Sequence, residues 1–222
     1  MGTILENLEF YNNEILSFPQ AKLLAVSKTK SASCIKSAYE LGQRDFGENK
    51  VQELLEKSLD LRSSCPDICW HFIGSLQSNK INMLLKVERL VSIHSVDNIK
   101  LLNKLLNKKS DRKVGLFLQV NTSEEQEKAG FLVESDLFEA ISCFDRAYCK
   151  SFFFQGLMTI GKIRTQSFEK DAKISFEKLC ILKEKIGVES IDLSMGMSAD
   201  YKIALEMQSN WIRIGSGIFG ER

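Results

Sequence analysis

The strongest constraint on this chain is a repeat in which a short, continuous apolar run is followed by a segment of helical period. The runs are Leu23–Val26, Phe46 with its neighbours in Asp45–Glu48, His71–Ile73, Leu90–Ile93, Val114–Val120, Phe153–Met158, Ile191–Met195 and Trp211–Ile214. One continuous apolar run reads equally well as strand or buried helix, but regular alternation with helical segments marks these as strands. Strands without polar alternation are covered on both faces, which means a parallel sheet flanked by helices. Eight such units at about 28 residues each predict a (β/α)8 barrel. An open doubly wound sheet is the alternative, and it lacks its usual Gly-x-Gly-x-x-Gly turn after the first strand.

The helical segments carry punctuation in the right places. An amphipathic stretch (Ile4, Leu5, Leu8, Ile15, Leu16) predicts a short helix ahead of the barrel. Ile35, Ala38 and Leu41 share a face closed by Gly42, and Asp97 is a candidate cap for Ile99, Leu102 and Leu106. The longest stripe, Phe168 to Ile186, is closed by Gly187. Only two prolines occur and no Gly/Ser tract divides the chain, so residues 1–222 read as one barrel domain.

Composition narrows the function classes. A net charge of +1 gives no field to gather nucleic acid or acidic lipid. No apolar run approaches a membrane span, and the N-terminus shows neither a secretory signal nor a myristoylation site. Six scattered cysteines without a Cys-x-x-Cys pair suit reduced thiols, and Cys65, Cys69 and His71 lack a second ligand cluster for zinc. A cytoplasmic monomer is expected.

Barrels of this kind do chemistry at the C-terminal ends of their strands. Phosphate commonly sits on the loops after strands seven and eight. Those loops are Met195-Gly196-Met197-Ser198 and Gly215-Ser216-Gly217, each pairing glycine with a hydroxyl, and the first leads toward a helix start. Lys28 follows the first run after one residue, where desolvation would free an amine for imine formation. Lys30, two residues on, and a plain exposed turn lysine are the competing readings there. His71 and His94 fall in apolar runs and read as hydrogen-bonded core residues.

The motifs in order are Leu-Ala-Val-Ser-Lys28-Thr-Lys, Phe-Gly-Glu-Asn49, Trp-His-Phe-Ile-Gly74-Ser-Leu-Gln-Ser-Asn-Lys80, Gly-Leu-Met158, Leu-Ser-Met-Gly-Met-Ser198 and Arg213-Ile-Gly-Ser216-Gly-Ile-Phe-Gly220. From about Leu23 to the C-terminus this closely resembles the pyridoxal phosphate homeostasis protein family, relatives of the alanine racemase barrel domain. The resemblance implies the cofactor fold of alanine racemase (fold type III) and a pyridoxal 5'-phosphate site. It implies Lys28 as the Schiff-base lysine, Arg213 facing the pyridine nitrogen, and Ser198, Gly215 and Ser216 holding the phosphate. Asn49 and Lys128 match positions near the cofactor, and Met195 is placed there with its turn. The implied role is cofactor homeostasis: holding pyridoxal phosphate and releasing it to apo-enzymes, with no amino-acid turnover.

This sequence departs from the family pattern at several positions. Ser31 stands for a proline, Ser216 for the commoner threonine, and Gln208 and Asn210 for a glycine and a threonine; the loop after Gly161 is short and Pro-free. An amino-acid racemase using the same cofactor is the alternative function. It needs a second acid/base from an added domain, and the sequence ends at Arg222, directly after the last strand. A cofactor-free Schiff-base aldolase using Lys162 is a further rival.

Overall fold

Successive side chains of a strand point to opposite faces, so a closed sheet sorts its residues into an inside and an outside. The computed structural model describes residues 2–123, 129–146, 151–162, 165–188 and 190–221. Its strands are β1 (Lys22–Val26), β2 (Asp45–Glu48), β3 (Cys69–Phe72), β4 (Leu90–Val96), β5 (Val114–Gln119), β6 (Phe152–Met158), β7 (Asp192–Met197) and β8 (Trp211–Ile214). All neighbours pair in parallel, and β8 returns to β1 with Arg213 opposite Leu24, closing the barrel in sequence order.

Around the barrel lie α1 (Ile4–Ile15), α2 (Ala32–Glu40), α3 (Val51–Leu61), α4 (Ile81–Leu84), α5 (Ile99–Leu106), α6 (Glu134–Arg146), α7 (Phe168–Ile186), α8 (Tyr201–Glu206) and α9 (Ser216–Phe219). Local chemistry sets their ends. Thr3 and Glu6 form a reciprocal capping box on α1. Ser31 caps α2 by accepting from the Cys34 amide, so this position starts the helix with a side-chain cap. Gly187 ends α7 in the left-handed conformation, as the sequence indicates. Two expectations are corrected. The cap of α5 is Asn98, which accepts from the Leu101 amide, while the Asp97 carboxylate accepts from the Asn98 side chain. Leu41 lies beyond the buried face of α2 and is exposed.

The large apolar cluster lies between strands and helices. Leu23, Phe46, Trp70, Phe72, Leu116, Leu118, Leu157 and Ile212 point outward into it, as do Phe176 and Leu179 from α7. The barrel interior is smaller and mixed. Leu24, Phe117, Met158 and Trp211 form its apolar part, with Ile73 and Ile160 packed against them. Buried polar residues (Ser92, His94, Ser194 and Arg213) fill the rest. This explains where the apolar runs misjudge strand ends. β4 continues through His94 and Ser95 to Val96 because both polar side chains find partners, Ser194 Oγ and the Gly74 carbonyl, while β7 also runs past its apolar stretch through Gly196 to Met197.

Candidate functional site

The C-terminal ends of six strands open into one cavity of about 530 Å³, within the usual range for a small-molecule site. Its wall takes Val26 and Lys28 from the end of β1, Asn49 after β2 and Gly74 after β3. Met158, Met197, Ser198, Arg213, Gly215 and Ser216 complete the other side. A narrower cleft of about 230 Å³ lies outside the barrel between α6 and α7 and shares none of these residues.

Lys28 is half-buried and makes no hydrogen bond or ion pair with any described residue. Its neighbour Lys30 is tied down: its Nζ donates to the Gly220 carbonyl at 3.0 Å and the Glu221 carbonyl at 2.9 Å. That contrast separates two lysines which spacing leaves open. Lys162 does not line the cavity.

The Lys28 turn is held from behind by buried charge. Lys57 Nζ, from α3, donates to the Ser27 carbonyl (2.9 Å), Glu48 Oε1 (2.7 Å) and Glu53 Oε1 (2.7 Å). Ser27 Oγ donates to Glu48 Oε1 at 2.6 Å, and the Thr29 amide donates to Glu53 Oε1 at 2.6 Å. Thr29 adopts φ 66°, an unusual conformation for a β-branched residue, and the bond to Glu53 helps to hold it. Burial pushes the Glu48 carboxyl above its ordinary range despite the bonds from Lys57 and Ser27. For Glu53 burial also pushes upward, but the bonds from Lys57 and the Thr29 amide outweigh it and the net shift is downward.

Opposite Lys28 lie hydrogen-bond donors without partners. The amides of Ser198, Ala199, Ser216 and Gly217 donate to no described backbone group, and the two serine hydroxyls have no described partner. The sequence places the first of these turns at a helix start. Instead α8 begins only at Tyr201, and the intervening Asp200 accepts from the Met197 amide at 2.6 Å. The available donors are therefore turn amides and hydroxyls. Gly196, with φ 94°, is what lets this turn pass close over Tyr201 and Ala204.

Arg213 projects from β8 and is 5% exposed. Nη1 donates to Ser194 Oγ and Nη2 to the Thr159 carbonyl, both at 2.8 Å. Burial draws its pKa down to about 10, opposed by Asp200, so it remains a cation at neutral pH. Asn49 adds an orphan: its Oδ1 is buried and has no partner. A buried acceptor without a donor is costly unless something fills the space beside it. These residues suit a phosphorylated aromatic aldehyde, with an unpartnered amine, unpartnered phosphate-type donors and a buried cation in one cavity.

Of the residues singled out in the sequence, Lys28, Asn49, Ser198, Arg213, Gly215 and Ser216 come together here. Met195 does not. Ser194 faces inward on β7, so Met195 faces outward into the sheath, fully buried, and a register shift between Ser194 and Met197 then brings Met197 to the cavity. Lys128 lies outside the described residues. The sequence reading missed the supports of Arg213. Ser194 shares inward parity with Arg213, which was the available signal.

The alanine racemase N-terminal domain family model matches residues 1–222. The pyridoxal phosphate homeostasis protein of Mus musculus is 43% identical over 215 residues, covering 91% of this chain and 77% of that protein. The protein of the same name from Vibrio alginolyticus is 36% identical over 237 aligned residues, covering 100% of this chain and 99% of that protein. The chain belongs to the pyridoxal phosphate homeostasis protein family. Among solved structures, PipY of Synechococcus elongatus PCC7942 with PLP bound superposes with a TM-score of 0.86 at 31% identity. That match covers 98% of this chain and 100% of PipY. Alanine racemase from E. faecalis, at 18% identity and a TM-score of 0.74, shares the barrel and extends well beyond it, since only 58% of that chain is covered. Gln208 occupies a left-handed conformation (φ 59°), the region that favours glycine. The Asn210 amide donates to the Leu193 carbonyl, and its Oδ1 accepts from the Leu193 amide, both at 2.8 Å.

Proposed function

We propose that this chain holds pyridoxal 5'-phosphate at the C-terminal mouth of the barrel, bonded to Lys28, and releases it to apo-enzymes. The observation that carries the reading is the convergence, in one cavity, of an untethered lysine, unpartnered turn donors and a buried arginine. Bound there, the cofactor supplies an aldehyde carbon with which a lysine amine forms a reversible Schiff base. Reversibility is what both capture and release require. Ser198, Ser216 and the adjoining amides would take the phosphate, Arg213 would donate to the pyridine nitrogen, and Asn49 Oδ1 would meet a donor on the ring or its substituents.

The same arginine would slow deprotonation of an amino acid without by itself deciding against turnover. A guanidinium donates a hydrogen bond without giving up its proton, so the ring nitrogen stays unprotonated and withdraws electrons poorly. The names of the relatives also point to homeostasis and not to catalysis. The described residues contain no helix long and apolar enough to cross a membrane, in keeping with a cytoplasmic role. A monomer in solution is the expected state, which light scattering measures. The test of the function is an absorbance spectrum of the purified chain after incubation with pyridoxal phosphate and gel filtration. A retained visible band that decays on addition of an apo-enzyme, as that enzyme gains activity, is expected. A colourless protein would refute the reading.

A further inference from the structure

Barrel interiors of this size are ordinarily filled by layers of branched apolar side chains. Here a row of polar side chains runs through the interior toward Arg213. Arg213 Nη1 meets Ser194 Oγ at 2.8 Å, and Ser194 Oγ meets His94 Nδ1 at 2.9 Å. His94 Nε2 meets Ser92 Oγ at 2.7 Å, and Ser92 Oγ meets His71 Nδ1 at 2.6 Å. His71 Nε2 then meets Asp45 Oδ1 at 2.9 Å. Both rings are essentially unexposed, while the Asp45 side chain is 29% exposed.

The direction of every proton follows from the two ends. Arginine can only donate, so Ser194 Oγ accepts and has its own proton to give. Its other partner is His94 Nδ1, which must therefore be an acceptor. His94 then carries its proton on Nε2 and donates to Ser92, which passes its hydroxyl proton to His71 Nδ1. His71 accordingly carries its proton on Nε2 and donates to Asp45, an acceptor when ionised. Reasoning from the Asp45 end gives the same answer. The opposite His94 tautomer would leave Ser194 with two donors and no acceptor, and His71 Nδ1 with no donor. In a buried site each such failure is costly.

We infer that Arg213, Ser194, His94, Ser92, His71 and Asp45 form one directed hydrogen-bond file with both histidines as neutral Nε2–H tautomers. In this file Ser194 and His94 are positioning residues that aim the Arg213 guanidinium at the cavity. The surroundings agree. His94 is stacked on Phe117 at 4.1 Å and has Trp211 edge-on at 6.2 Å. Burial, with His71 and Arg213 adding to it, holds His94 well below the ordinary histidine range. Trp211 also closes on His71 at 4.8 Å, so neither ring has room to turn freely. The cation at one end of the file faces the anion at the other, and each intervening dipole points the same way.

The file itself does not depend on which ligand the cavity takes. Its effect on affinity rests on Arg213 contacting pyridoxal phosphate. The chain has only two histidines, so two-bond nitrogen–proton NMR of the unaltered full-length chain at pH 7 reads both tautomers directly. Acceptor-type shifts at Nδ1 and donor-type shifts at Nε2 are expected for both rings; an Nδ1–H tautomer or an imidazolium at either position overturns the file. For positioning, Ser194→Ala should weaken pyridoxal phosphate binding about tenfold, the loss of one bond to a charged group. Competition by inorganic phosphate should be unchanged, and Ser194→Thr should bind within about twofold of the parent. Unchanged affinity in Ser194→Ala, an equal loss of phosphate binding, or failure of threonine to restore affinity overturns the positioning role. Failure of the unaltered chain to bind pyridoxal phosphate would instead remove the cofactor reading and leave the NMR result standing.

Discussion

Replacing Lys57 by methionine should destabilise the fold in a pH-dependent way, and the structure sets both size and sign. Lys57 is almost fully buried and donates to Glu48, Glu53 and the Ser27 carbonyl. Breaking a buried ion pair by removing one partner costs about 3–5 kcal/mol, because the other charge stays behind. Glu48 is that charge: it is unexposed, and its Oε2 already lacks a partner. Its pKa is raised in the fold, so its protonated form is the one folding favours. Such a group contributes stability fully below its unfolded pKa and loses it as pH rises through the folded value. Removing Lys57 takes away the bond that holds this rise in check. Glu53 has the opposite shift and contributes above its unfolded pKa; without Lys57 that contribution shrinks at neutral pH. Both changes make Lys57→Met more damaging at pH 7 than at pH 5. Urea denaturation followed by circular dichroism at the two pH values measures this. The double variant Lys57→Met with Glu48→Gln should recover much of the loss, since no bare charge remains. A loss under about 1 kcal/mol at pH 7, or equal losses at both pH values, would refute the reasoning.

Ser198→Ala combined with Ser216→Ala should weaken pyridoxal phosphate binding at least tenfold by fluorescence titration, since each bond to phosphate is worth roughly 1.5–3 kcal/mol. Pyridoxal without its phosphate should bind the unaltered chain poorly, and equal affinity for the two aldehydes would make the turns merely structural. Gln208→Gly should raise stability by about 0.5–1 kcal/mol in thermal unfolding, because a left-handed residue with a Cβ is strained where glycine is not. Incubated with L-alanine in deuterated water, the loaded chain should show at most slow exchange at the α-carbon; racemisation over many turnovers would establish an enzyme.

The barrel was legible because outward-facing residues such as Leu23, Phe46, Trp70, Leu116, Leu157 and Ile212 are apolar, and eight such runs in alternation with helices leave few folds open. What the runs concealed is the inside. His94 ends the apolar run Leu90–Ile93, and composition alone gives no reason to extend that strand through it until its partners are known. Spacing alone left Lys28 beside Lys30, and the family resemblance singled out Lys28; the structure adds the two carbonyls that hold Lys30. Met195 was misplaced by one step of strand alternation, compounded by the register shift beside Gly196. The Lys57 cluster was invisible because its members lie on three separate elements, and nothing in a charged helix such as α3 announces that one lysine points inward.

The central claim is that Lys28 captures the aldehyde. Borohydride reduction of the chain loaded with pyridoxal phosphate, followed by peptide mass mapping, fixes the attachment site covalently. The adduct is expected on Lys28, with Lys30 unmodified because its amine is occupied by the Gly220 and Glu221 carbonyls. An adduct on Lys30 or Lys162, or none on any lysine, would contradict the account.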